Sequence, residues 1–125
     1  MRVKSSDFTF SAKDREMLDL MMDLGMGRNI SKTVVFLSKT GEASSSDIED
    51  SIDLRQSEVS ISVKWLRNKG WVASRTIRKP GKGRPAHMYK LRYSLGRIAR
   101  EIGTTKNEEM EHIKKKVAHL KRLAK

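Results

Sequence analysis

Apolar residues recur at three- and four-residue steps along most of this chain and give way to β-branched and aromatic runs in a single stretch. Met17, Leu18, Met21, Met22 and Leu24 predict an amphipathic helix from Ala12 to Leu24. Ser11 and Asp14 stand ahead of it at capping-box spacing, and Gly25-Met26-Gly27 is its stop. Its methionines are read as core filling, not as cofactor ligands. Upstream, Phe8 and Phe10 alternate with polar residues in a short arm. Ile30, Val34 and Leu37 predict a second helix over Asn29 to Lys39, ending at Gly41. Ser44, Ser45 and Ser46 offer N-cap hydroxyls to a short helix carrying Ile48 and Ile52. After a turn at Asp53, Leu54 and Arg55, a fourth helix runs to Lys69 and stops at Gly70. So short a turn makes these two helices cross sharply.

The period then changes. Trp71 to Lys79 and His87 to Tyr93 are rich in Trp, Val, Thr, Ile, Tyr and Leu and flank Pro80-Gly81-Lys82-Gly83-Arg84-Pro85, which predicts a β-hairpin. A last helical region begins near Ser94, is expected to break at Gly103-Thr104, and restarts with the capping-box pattern of Thr105 and Glu108. Leu95, Ile98 and Ile102 precede the break; Met110, Ile113, Val117, Leu120 and Ala124 follow it at alternating steps of three and four, an a/d seam. That seam is read as a homodimer interface, with packing inside the same chain as the alternative.

At about 100° per residue, Val59, Val63 and Leu66 fall in one sector of the fourth helix and face the core. Ser57, Ser60, Ile61, Lys64 and Asn68 point the other way, and Gln56 stands at the N-terminal end near this face. Hydroxyls, an amide and a cation can hydrogen-bond to base edges in a major groove, and an aliphatic group can meet a thymine methyl. A solvated helix face would have the same composition, so the neighbouring segments have to decide.

Charge supplies that decision. Residues 1–66 hold 9 basic and 11 acidic side chains, a net of two negative (9 − 11); residues 67–125 hold 18 and 4, a net of fourteen positive (18 − 4). Together they make the net +12, which favours a polyanionic partner. Residues 67–93 contain nine basic side chains and no acid. A hairpin edge protected against aggregation needs only one or two such charges. Arg84, held between glycine and proline in a slim loop, fits a narrow A·T-rich minor groove, and Gly83-Arg84-Pro85 looks like an AT-hook core. Arg75, Arg78, Lys79, Lys82, Lys90 and Arg92 are assigned to phosphates.

Ile48 through Leu91, especially SEVSISVKWLRNKGWV followed by GKGRPAHMYKL, resembles the winged helix-turn-helix transcriptional regulators of the MarR, ArsR and TrmB type, above all small archaeal ones. The resemblance implies a mostly α, α+β fold: a winged helix-turn-helix with a two-stranded β wing and additional N- and C-terminal helices. It also implies that Gln56 to Asn68 lies in the major groove. Arg55 departs from the family's frequent Ser or Thr cap, and Ile61 from a position where a basic residue often stands. The expected organisation is an N-terminal arm and helix over 1–27, the DNA-binding domain over 28–93 and a helical dimerisation region over 94–125.

The remaining chemistry is sparse. With no cysteine, disulfides, thiolate zinc sites and cysteine nucleophiles are ruled out. His87, His112 and His119 are too few and too badly spaced for a zinc site, so no metal is expected. Ser44, Ser45 and Ser46 lack a base, and the acidic group Asp47, Glu49, Asp50 and Asp53 lacks a second cluster for two-metal chemistry. No enzyme activity and no cofactor are expected. No apolar run approaches the roughly 20 residues of a membrane span, and the chain is read as cytoplasmic and nucleoid-associated. The expected partners are double-stranded DNA and a second copy of the chain. The alternatives are a nonspecific architectural or RNA-binding protein, or a protein-interaction subunit of a transcription or replication assembly.

Overall fold

The structure is a computed structural model that describes residues 8–78 and 86–125. It divides into two compact units, one ending at Ser94 and the other comprising Leu95–Lys125.

In the first unit, helix α1 spans Ala12–Asp23 and begins with a complete capping box. The Asp14 backbone N–H donates to Ser11 Oγ at 3.1 Å, and the Ser11 N–H donates to Asp14 Oδ2 at 2.9 Å. Two of the first turn's orphan donors are thereby satisfied. Helix α2 spans Arg28–Thr40 and ends at Gly41, whose φ of 76° only glycine adopts cheaply. The periodicity predicts one buried face for α2, but the structure buries more: Thr33, Val34, Val35, Phe36 and Leu37 are all shielded. Ser31 and Thr33 tolerate this because their hydroxyls donate back to the Gly27 and Asn29 carbonyls at 2.9 and 2.8 Å. α2 is thus the hub of the unit, and Phe8 of the arm meets Phe36 edge-on with centroids 4.8 Å apart.

A two-residue strand, β1 (Ala43–Ser44), leads into helix α3 (Ser45–Ile52). Ser44 is the N-cap, paired reciprocally with Asp47. Asp53 then enters the left-handed region at φ 53° to turn the chain within three residues into helix α4 (Gln56–Asn68). Arg55 stands where the cap is expected, and Glu58 supplies one half of the box: its Oε1 accepts the Arg55 backbone N–H at 2.9 Å. Gly70, at φ 79°, ends α4.

Strands β2 (Val72–Ile77) and β3 (Ala86–Leu91) pair antiparallel, with Val72 opposite Leu91 and Ile77 opposite Ala86. The hairpin is therefore present, and it gains a third strand: β1 pairs with β3 through Ala43–Tyr89 and Ser44–Met88, giving the order β1-β3-β2. A strand of two residues carries no readable period.

The second unit is a single helix, α5 (Leu95–Leu123), 29 residues and so about 44 Å long. The expected break at Gly103-Thr104 is absent. A glycine inside a helix costs only about 1 kcal/mol relative to alanine, too little to end a long helix. The Thr104 hydroxyl returns a hydrogen bond to the Arg100 carbonyl at 3.1 Å. Ile98 and Ile102 are buried, whereas Met110, Ile113, Val117 and Leu120 are exposed. Among the described residues, no helix is long and apolar enough to cross a membrane.

Candidate nucleic-acid interface

Helix α4 has two sides that differ completely in burial. Val59, Ser62, Val63 and Leu66 are buried, while Gln56, Ser57, Ser60, Ile61, Lys64 and Asn68 are all exposed. Ile61, 67% exposed, stands in the middle of the polar face, where an aliphatic side chain gains nothing from water.

The first turn of α4 is braced from a distance. The Asn29 side-chain amide, in the first turn of α2, donates to Glu58 Oε2 at 3.1 Å while Glu58 Oε1 holds the Arg55 N–H. The Arg55 backbone donor lowers the Glu58 carboxyl below its ordinary value, against an upward push from burial, and Asn29, Arg55 and Lys32 add to the lowering. An ionised Glu58 therefore fixes where α4 begins, and with it the positions of Gln56 and Ser57.

At the other end of the helix, Ser60, Lys64 and Asn68 line a shallow depression of about 460 Å³ together with Val63, Arg67 and Tyr89. Two of its members, Arg67 and Tyr89, were not singled out from the sequence. Arg67 follows Lys64 by three residues and so lies on an adjoining part of the surface, a signal present in the helical period. Tyr89 reads only as a strand residue until the fold brings it to the same depression as the α4 side chains.

On the hairpin, Arg75, Arg78, Lys90 and Arg92 are exposed. The register puts Arg75 opposite Met88 and Lys90 opposite Ala73, so alternation along each strand sets Arg75 and Lys90 on the same face. Arg75 is engaged there by an acid: its Nε donates to Glu42 Oε2 at 2.7 Å and its Nη2 to Glu42 Oε1 at 2.5 Å. This bidentate pair raises the Arg75 pKa further. Glu42 precedes β1 and also escaped the sequence reading, because nothing local links residues 33 positions apart. Arg92 lies with its guanidinium 5.5 Å from the Tyr93 ring centre, and its backbone N–H donates to the Trp71 carbonyl at 2.8 Å. Lys79, Lys82 and Arg84, with the loop glycines and Pro85, lie outside the described residues.

His87 Nδ1 lies 3.4 Å from Thr76 Oγ1 within the hairpin. Among the described residues, no three His, Cys, Asp or Glu side chains are placed to hold a metal ion.

No protein-family model matches the chain, and no curated protein does. Solved structures do match its fold. One described as a possible transcriptional regulator from Methanosarcina mazei Go1 aligns with a TM-score of 0.63 at 19% identity, covering 84% of this chain and 87% of that one. A cysteine-to-serine mutant of MarR from E. coli, complexed with operator DNA, aligns with a TM-score of 0.50 at 18% identity, covering 84% of each chain. Helices α3 and α4 joined by a tight turn, followed by the β2–β3 hairpin, make this a winged helix-turn-helix fold, similar over 84% of the chain to each of these two structures.

Proposed function

We propose that the chain is a sequence-specific DNA-binding transcriptional regulator that acts as a homodimer, placing α4 in the major groove and the tip of the β2–β3 hairpin in the minor groove. The observation that carries this reading is the exposed face of α4, where Gln56, Ser57, Ser60, Ile61, Lys64 and Asn68 stand clear of a core built on Val59, Val63 and Leu66. Such a face offers donors, acceptors and one methyl-bearing side chain to base edges. The fold likeness to a MarR structure that contains operator DNA supports it. So does the acid-free run of nine cations over residues 67–93.

In this reading Arg78, Lys79, Lys82, Lys90 and Arg92 neutralise phosphates, and Arg84 enters the minor groove. Arg75 joins the phosphate contacts once Glu42 releases it. The α5 residues Met110, Ile113, Val117 and Leu120, with Ala124 just beyond the helix, form the dimer interface, and the functional division is 1–27, 28–93 and 94–125. Double-stranded DNA is the partner, and the cytoplasm, on the nucleoid, is the site of action.

The test is a mobility-shift comparison across duplexes selected from a random pool. Arg84→Ala weakens binding chiefly on A·T-rich minor-groove sequence, whereas Ser60→Ala and Lys64→Ala change base preference. Equal losses for all three on every duplex, or equal competition by random DNA and RNA, would overturn sequence-specific reading in favour of a nonspecific nucleic-acid binder.

A further inference from the structure

The apolar stripe of α5 lies open from Met110 onward: Met110, Ile113, Val117, Leu120 and Leu123 expose between 44% and 71% of their surface. Leu123 extends the exposed apolar surface beyond the residues that the sequence period picks out. Charge along the same stretch is divided end from end. Residues 104–112 carry Lys106 against Glu108, Glu109 and Glu111, a net of two negative (1 − 3). Residues 113–125 carry Lys114, Lys115, Lys116, Lys121, Arg122 and Lys125 and no acid, a net of six positive. The pairs Lys106–Glu109 at 3.1 Å and Glu111–Lys114 at 3.4 Å are solvent-exposed, so they tie up little of this charge.

We propose that the exposed half of α5 docks the same half of a second copy of this chain, with the two helices running antiparallel. The proposal rests on the homodimer reading above and adds to it a direction. With Met110 and Val117 at a positions and Ile113 and Leu120 at d, Glu109 and Lys116 occupy g, and Lys114 and Lys121 occupy e. In a parallel pair g faces the e of the next heptad. Glu109 then meets the partner's Lys114 while Lys116 meets the partner's Lys121, and the six-cation end of one helix lies along that of the other. In an antiparallel pair g faces g and e faces e, so Glu109 meets the partner's Lys116 while Lys114 meets the partner's Lys121. The flanking pairs balance in the two directions, and what separates them is that antiparallel pairing lays each basic end along an acidic segment. The helix dipoles also oppose in the antiparallel arrangement and align unfavourably side by side in the parallel one.

The chain has no cysteine, so single-cysteine variants of it accept one spin label each. At 1.5 Å per residue, antiparallel pairing of the exposed halves separates the two labels of Ala124→Cys by about 25–40 Å. Labels on Lys114→Cys, near the middle of the overlap, stay within about 20 Å, since paired axes lie 8–10 Å apart. Pulsed dipolar spectroscopy showing the long distance at 124 and the short one at 114 is the expected result. A distance below about 15 Å at 124 means a parallel pair and overturns the proposal. Long distances at both positions in a dimer mean that another surface pairs the copies, which overturns it equally. A monomer by light scattering with no dipolar signal removes the homodimer reading itself.

Discussion

Arg75 and Glu42 form a two-point ion pair, Nε to Oε2 at 2.7 Å and Nη2 to Oε1 at 2.5 Å, on the hairpin face that also carries Lys90. A guanidinium held this way by a carboxylate contributes less to a phosphate than one facing water, because the acid must be displaced first.

Glu42→Gln should therefore tighten binding to any duplex and steepen the salt dependence, raising the slope of log K against log salt by about 0.9, the release expected for one added phosphate contact. Arg75→Ala in the Glu42→Gln background should cancel the gain. Fluorescence anisotropy over a salt series measures both, and an unchanged slope in Glu42→Gln would show that Arg75 does not reach DNA.

Ile61, two-thirds exposed, contributes nothing visible to the core. Ile61→Ser should leave thermal stability within about 0.5 kcal/mol of the parent. In binding-site selection it should lose about 1 kcal/mol of preference for thymine at one position. A fall in stability without a change in preferred sequence would place Ile61 in packing instead.

Asp14 carries the clearest pH dependence. Burial pushes its carboxyl up, but the Ser11 backbone N–H, the Lys39 ammonium and the Ser11 side chain outweigh that and hold it below the usual carboxylate range. Lys39 Nζ lies 3.2 Å from Oδ1, linking the start of α1 to the last turn of α2. A carboxyl whose folded pKa is depressed adds stability above its unfolded value, near 3.9, and loses it as pH falls through the folded value. Urea denaturation at a series of pH values should show stability falling below about pH 4 in the parent and a flatter acid limb in Asp14→Asn. The variant should be weaker by about 1–2 kcal/mol near neutrality.

Two glycines should respond in opposite directions. Gly70 has φ 79°, and an added Cβ there would sit 3.9 Å from Arg92 Nη1, an ordinary contact. Its cost is backbone strain alone, so Gly70→Ala should destabilise by about 1–2 kcal/mol. Gly103 lies inside α5 with nothing within 4 Å of an added Cβ, and Gly103→Ala should stabilise by up to about 1 kcal/mol. Thermal melts of the two variants check both signs.

Much of the fold is legible residue by residue. Ser11 with Asp14, Ser44 before α3, Gly41 and Gly70 mark helix ends through interactions within a turn, and the period of α4 sorts Val59, Val63 and Leu66 from Ser57, Ser60 and Lys64 without knowledge of any neighbour. Gly103 misled because helix propensity is a small local term, overridden in a helix of 29 residues. The double-sided burial of α2 was hidden for a related reason: Ser31 and Thr33 look polar until their hydroxyls turn back onto the helix's own carbonyls.

Sequence alone determined most of the helix ends, the two faces of α4 and the concentration of positive charge beyond Leu66, since each depends on residues a few positions apart or on simple counting. Tertiary structure alone decided that β1 completes the sheet, that Asn29 braces Glu58 across 29 positions and that Glu42 occupies Arg75 across 33. These pairings depend on how helices and strands come together in space, and no period along the chain encodes the distance between side chains that meet only after the core has formed.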